Sequence, residues 1–174
     1  MTFLKKKKLL ISGVVVLTLF FCGIYIFLSK PDGTTIESRK DLISKNMNGQ
    51  IWNISTETEI DGYIISATYG DNQKSGIAIF KPTKNGKYKF QSHFWNDNDT
   101  IILTTLITEK NSYNLVWFNG ALTSYAEITY TSNGKFLETK KFNTEGKPIL
   151  YNISPKDEYE IKIRYYDENG TVYE

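Results

Sequence analysis

The sequence predicts an all-β fold, an antiparallel meander closing as a sandwich or a barrel, placed after one N-terminal transmembrane helix. Three observations predict it: turn dipeptides recur at short intervals after Asn48, the runs between them alternate apolar with polar, and residues 9–28 are uninterruptedly apolar. The domain order that follows is a basic tail (1–8), a membrane helix (9–28), a juxtamembrane stalk or short helix (29–48) and a β domain (49–174).

The run from Leu9 to Leu28 carries no charge and no proline. A helix of that length rises about 1.5 Å per residue and spans the roughly 30 Å of a bilayer's hydrocarbon core. Ser12 and Thr18 within it can bond back to helix carbonyls. Lys5, Lys6, Lys7 and Lys8 precede it and only Lys30 follows closely, so the positive-inside rule puts the N-terminus in the cytoplasm and the rest of the chain outside. The expected first partner is therefore the lipid bilayer, met through residues 9–28. No Ala-x-Ala follows the run, and Phe20 and Phe21 stand before Cys22 where lipoprotein signals have small residues, so an uncleaved anchor is preferred over cleavage or lipid attachment.

Five of the 21 basic residues lie at or before Lys30 and all 19 acidic ones lie after it, leaving the exported part at −3 despite the overall +2. Such a surface lacks the clustered basic face that nucleic acid requires, and no nucleic-acid partner is expected. The single cysteine, Cys22, lies in the apolar run, so the β domain has no disulfide and relies on packing. Arginine occurs only at Arg39 and Arg164 against many lysines, a bias resembling AT-rich, Gram-positive bacterial genomes. On that reading the Asn-x-Ser/Thr matches at Asn53, Asn98, Asn152 and Asn169 are chance.

From Thr34 to Asn46 the chain is polar, with Ile36, Arg39, Lys40 and Ile43 at helical intervals and Thr34, Thr35 or Ser38 as caps. Asn48-Gly49 closes this segment. Asp61-Gly62, Asn85-Gly86, Asn119-Gly120, Asn133-Gly134 and Asn169-Gly170 then offer the positive-φ pairs of type I′ hairpins. Strands are expected at 50–59, 62–69, 75–82, 87–95, 100–108, 113–118, 123–131, 135–142, 148–153 and 158–166. Alternation is clearest at Tyr159, Ile161, Ile163 and Tyr165. It recurs as Tyr63, Ile65, Ala67 and Tyr69, as Tyr88, Phe90, Ser92 and Phe94, and as Ile101, Leu103, Thr105 and Ile107. Short connections require antiparallel neighbours, and with no long helical run after Asn48 the sheet is expected to cover itself.

The chain offers little chemistry. His93 is the only histidine and has no partner cysteine or serine in a recognisable nucleophile context, so a packed or solvated role is expected. Asp97 and Asp99 alternate as calcium ligands do, but the third ligand, the glycine and the distal glutamate of such a loop are missing. They remain weak metal candidates. No catalytic residues and no cofactor are expected, and no pair among the acids is singled out for a hydrolase. The aromatics read mainly as core, with Trp95, beside the polar Asn96 to Asp99 loop, the one candidate for an exposed binding residue. The expectation is a single-pass, membrane-anchored extracytoplasmic domain of the cell envelope that docks on another envelope protein. Capture of a wall glycan, lipid or ion is the alternative.

Overall fold

The computed structural model describes Val16, Thr18, Phe20 and residues 30–71, 74–97, 101–118, 123–144, 149–156 and 158–173. The expected membrane segment, its flanking Lys5 to Lys8 and Cys22 lie outside this set apart from Val16, Thr18 and Phe20, which are helical. Among the described residues no helix is long and apolar enough to cross a membrane.

The remaining elements are α1 (Ile36–Asn46) followed by β1 (Trp52–Ile60), β2 (Tyr63–Gly70), β3 (Lys74–Pro82), β4 (Tyr88–Asp97) and β5 (Ile101–Ile107). Then come β6 (Ser112–Phe118), β7 (Tyr125–Ser132), β8 (Lys135–Asn143), β9 (Ile149–Ile153), β10 (Glu160–Tyr166) and the short β11 (Val172–Tyr173). All ten anticipated strands are present and every pairing is antiparallel.

The strands form three sheets, ordered β1-β2-β3-β4, β5-β6-β9 and β11-β10-β7-β8. Only the first is a meander. β9 returns beside β6 and β10 beside β7, long-range choices that hairpin signals cannot encode. The sheets stack with β5-β6-β9 in the middle. Ile65, Ala67, Ile77 and Ile79 of the first sheet pack on Ile102, Leu106, Leu115, Trp117 and Ile149 of the middle one. The opposite side of the middle sheet sends Val116 and Leu150 against Ala126, Ile128, Tyr130 and Tyr165 of the third. Residues 113–117 of β6 are consequently buried whichever way they point. Each aliphatic side chain so buried contributes about 1.5–3 kcal/mol.

The first sheet does not cover itself alone. Its outer face meets α1, where Ile43 packs with Trp52, Ala78 and Phe80. α1 forms because Thr35 caps it, its hydroxyl accepting from the Ser38 amide at 3.1 Å, and because Arg39 and Ile43, one turn apart, share the buried face. Arg39 reaches Glu57 of β1 with two N–H groups at 2.8 and 2.5 Å, and donates a third to the Gly33 carbonyl at 2.6 Å. Ser66 donates to the same Glu57 carboxylate at 2.6 Å. A buried pair of this kind fixes geometry more than it adds stability. The helix is thus docked, and does not stand away from the sheet as a stalk.

Three local expectations need correction. Asp61-Gly62 and Asn133-Gly134 have both φ values positive, as type I′ turns require, but at Asn85-Gly86 and Asn169-Gly170 only the glycine does. There the hairpins widen, with Thr83 N bonded to Lys87 O and Asp167 N to Thr171 O. Asn119-Gly120 lies outside the described residues. The register of β4 against β3 shifts opposite Ile79 and Phe80, so Gln91 is an extra, bulged residue. Beyond it the faces exchange: Tyr88, Phe90, His93 and Trp95 fall on the α1 side, and Phe94, expected with Tyr88, is 40% exposed. In β5 the buried residues are Ile102 and Leu106. The expected face of Ile101, Leu103, Thr105 and Ile107 is bare, because the third sheet covers only the β6 and β9 columns.

Candidate functional site

The bulge in β4 gathers the few residues with chemical potential at one end of the first sheet. Trp52 opens β1 opposite Gly70, where any side chain would press on the indole, since a Cβ there would lie 3.2 Å from the ring. The His93 ring meets Trp52 edge-on at 4.3 Å between centroids, and Trp95 lies 6.1 Å from Trp52. His93 Nε2 is 2.8 Å from the Thr68 hydroxyl. That contact depends on Gly76 between them, where a Cβ would come within 2.4 Å of Nε2 and 2.7 Å of the hydroxyl.

Burial pushes the His93 pKa down to about 4, leaving a neutral imidazole at pH 7. Among the described residues its buried Nδ1 has no hydrogen-bond partner, and none of them orients the ring from that side. Thr68 is fully buried, beyond the reach of a substrate. His93 is thus packed edge-on against Trp52 and bonded through Nε2 to Thr68.

Trp95 is half-buried, not the exposed aromatic its neighbouring loop implied. The Lys74 ammonium sits 4.6 Å over its ring and 3.8 Å from Asp97, so Trp95 and Asp97 are joined through one lysine. Asp99 lies outside the described residues. Among the described residues no three His, Cys, Asp or Glu side chains converge as a metal site. Beside this cluster a shallow cavity of about 200 Å³ is lined by Gln50, Ile51, Trp52, Gly70, Asp71 and Lys74.

The chain matches no family model, no curated protein and no solved structure.

Two features escaped the sequence reading. A larger concavity of about 590 Å³ lies between residues 30–32 and the β3–β4 hairpin, bordered by Lys30, Lys84, Lys87, Lys89, Tyr88 and Asp32. Lys87 lies 3.6 Å from Asp32, and hydrogen bonds from Thr34 hold the Asp32 carboxyl below the usual carboxylate range. The lysine spacing around Asn85-Gly86 is visible in the sequence, but the approach of Lys30 needs the fold. The second is the bare face of β5, with Ile101, Leu103 and Ile107 at 36, 43 and 70% exposure.

Proposed function

We propose that the chain is a single-pass, membrane-anchored module of the cell envelope, anchored through residues 9–28, whose extracytoplasmic β domain works by docking with protein there. One observation carries the docking: a strand with apolar residues on both faces is covered on one face only, and such uncovered apolar surface marks interaction sites. Neutral, half-buried His93 and inaccessible Thr68 offer no support for a hydrolase. A photoreactive amino acid at Leu103 in the native cells tests the reading. Protein adducts are expected, and the reading fails if only lipid adducts or none form.

Capture of an anionic surface ligand is the second reading, favoured by the lysine-bordered concavity next to Lys30, two residues beyond the apolar run. Phosphate-bearing lipid headgroups or wall polymers match its charge. If so, Lys84→Glu with Lys89→Glu weakens binding of the chain to anionic vesicles and leaves Leu103 adducts unchanged.

A further inference from the structure

We propose that the occupant of β5 is a second copy of this chain, its own β5 added antiparallel along the free edge with Thr104 opposite Thr104. The inference goes beyond the docking reading above, since the pairing is made by the edge of β5 and leaves its bare face open to a docking partner, and it rests on that reading only for the biological setting.

An edge strand presents unpaired backbone groups, and folded proteins guard them with charge, proline, bulges or brevity. The other edges here are guarded. β1 carries Glu57 and Glu59 and a register shift after Ile54. β4 carries Lys89, Asp97 and the Gln91 bulge. β8 carries Lys135, Lys140 and Lys141 and its own shift. β9 has five residues and is soon followed by Pro155, and β11 has two. β5 has seven residues, Ile-Ile-Leu-Thr-Thr-Leu-Ile, with no charge, no proline and no shift against β6, and among the described residues no strand lies on its other side.

The same seven residues are self-complementary. A two-fold axis perpendicular to the sheet, passing beside Thr104, sets Ile101 opposite Ile107, Ile102 opposite Leu106 and Leu103 opposite Thr105. Each pair then shares a face, because the axis maps each face of the sheet onto itself and partners differ by an even number of residues. Apolar ends meet apolar ends and threonine meets threonine, pairings that stabilise adjacent strands. The product is one six-stranded sheet, β9-β6-β5-β5-β6-β9, in which the bare odd faces of the two copies become continuous. A partner of unrelated sequence would have to supply this match independently; a second copy supplies it by symmetry.

The test uses the full chain in its own membranes, with Cys22→Ser as background. Residues directly opposite in an antiparallel pair have Cα atoms about 4.5–5.5 Å apart, inside the roughly 4.4–6.8 Å range of a disulfide. Thr104→Cys should give a covalent homodimer on mild oxidation, and Lys135→Cys, on the third sheet, should not. In detergent, Leu103→Lys, at an exposed position, should weaken self-association at least tenfold while leaving the circular dichroism spectrum unchanged. A monomeric parent chain, equal crosslinking at both cysteine positions, or a dimer indifferent to Leu103→Lys overturns the proposal. A Thr104→Cys adduct to a different protein also overturns it, while leaving the docking reading intact. Protease added to wall-stripped cells separates the other failure: a domain found inside or in the medium refutes the anchored reading and leaves the crosslink standing.

Discussion

The two faces of the middle sheet are closed by different physics. Toward the first sheet the contact is aliphatic and aromatic, with Leu106 and Leu115 fully buried and Tyr113 sending its hydroxyl to the rim, where Asp61 accepts from it at 3.0 Å and from Thr108 at 2.8 Å. Toward the third sheet a polar chain runs through the interface. Tyr159 donates to Asn114 at 2.7 Å, Asn114 donates to Tyr130 at 2.9 Å, and Tyr130 and Asn152 share close contacts at 2.6 and 2.9 Å. Tyr130 is completely buried and Asn114 nearly so. Shape alone can fill the first interface with sheets slightly displaced, whereas buried hydrogen bonds are satisfied in one register only. The contrast teaches that the first interface supplies most of the stability and the second most of the alignment.

Truncation on the aliphatic side should break the comparison hardest. Leu115→Ala leaves a cavity and should cost about 2–5 kcal/mol in urea-monitored unfolding. The next largest effect lies outside both interfaces and calibrates them. The folded pKa of His93 lies near 4, below an unfolded value of about 6.5, so its contribution is fully present above pH 6.5 and is lost as pH falls through 4. Between pH 7 and 4 the parent should lose up to about 3 kcal/mol more than His93→Gln does, read from denaturation midpoints at each pH. On the polar side, Tyr130→Phe should cost about 1–3 kcal/mol, because Asn114 and Asn152 lose a shared partner. A loss of near-ultraviolet dichroism before unfolding should accompany it and be absent in Leu115→Ala, which would sharpen the division between stability and alignment. The smallest effect belongs to the rim: Asp61→Asn keeps the positive-φ turn and should cost about 1 kcal/mol.

Strand positions were legible because turn dipeptides and alternation act over a few residues. Stacking was not. In β6, Tyr113, Leu115 and Trp117 point one way and Asn114 and Val116 the other, and the polar Asn114 disguises a strand buried on both sides. β5 misled for the complementary reason, since Ile102 and Leu106 are as apolar as Ile101, Leu103 and Ile107, and only the extent of the third sheet decides which set is covered. The Trp95 and Asp97 neighbourhood was half legible: the residues are adjacent in sequence, but the Gln91 bulge that turns Trp95 toward Trp52 has no turn residue to announce it. Helix α1 was legible in its caps and spacing, while its docking depends on Glu57, distant in sequence.

Gly33 gives the leading edge of the domain its mechanical character. Its left-handed backbone, φ 74°, sits so close to Tyr88 that a Cβ would come within 2.7 Å, and the neighbouring Asp32 carbonyl accepts from the Tyr88 amide at 2.9 Å. Residues 32 and 33 are therefore tied both to the β3–β4 hairpin, through the Tyr88 amide, and to β1, through the Arg39 guanidinium. A load entering at Lys30 is thus carried first by the sheet that α1 covers.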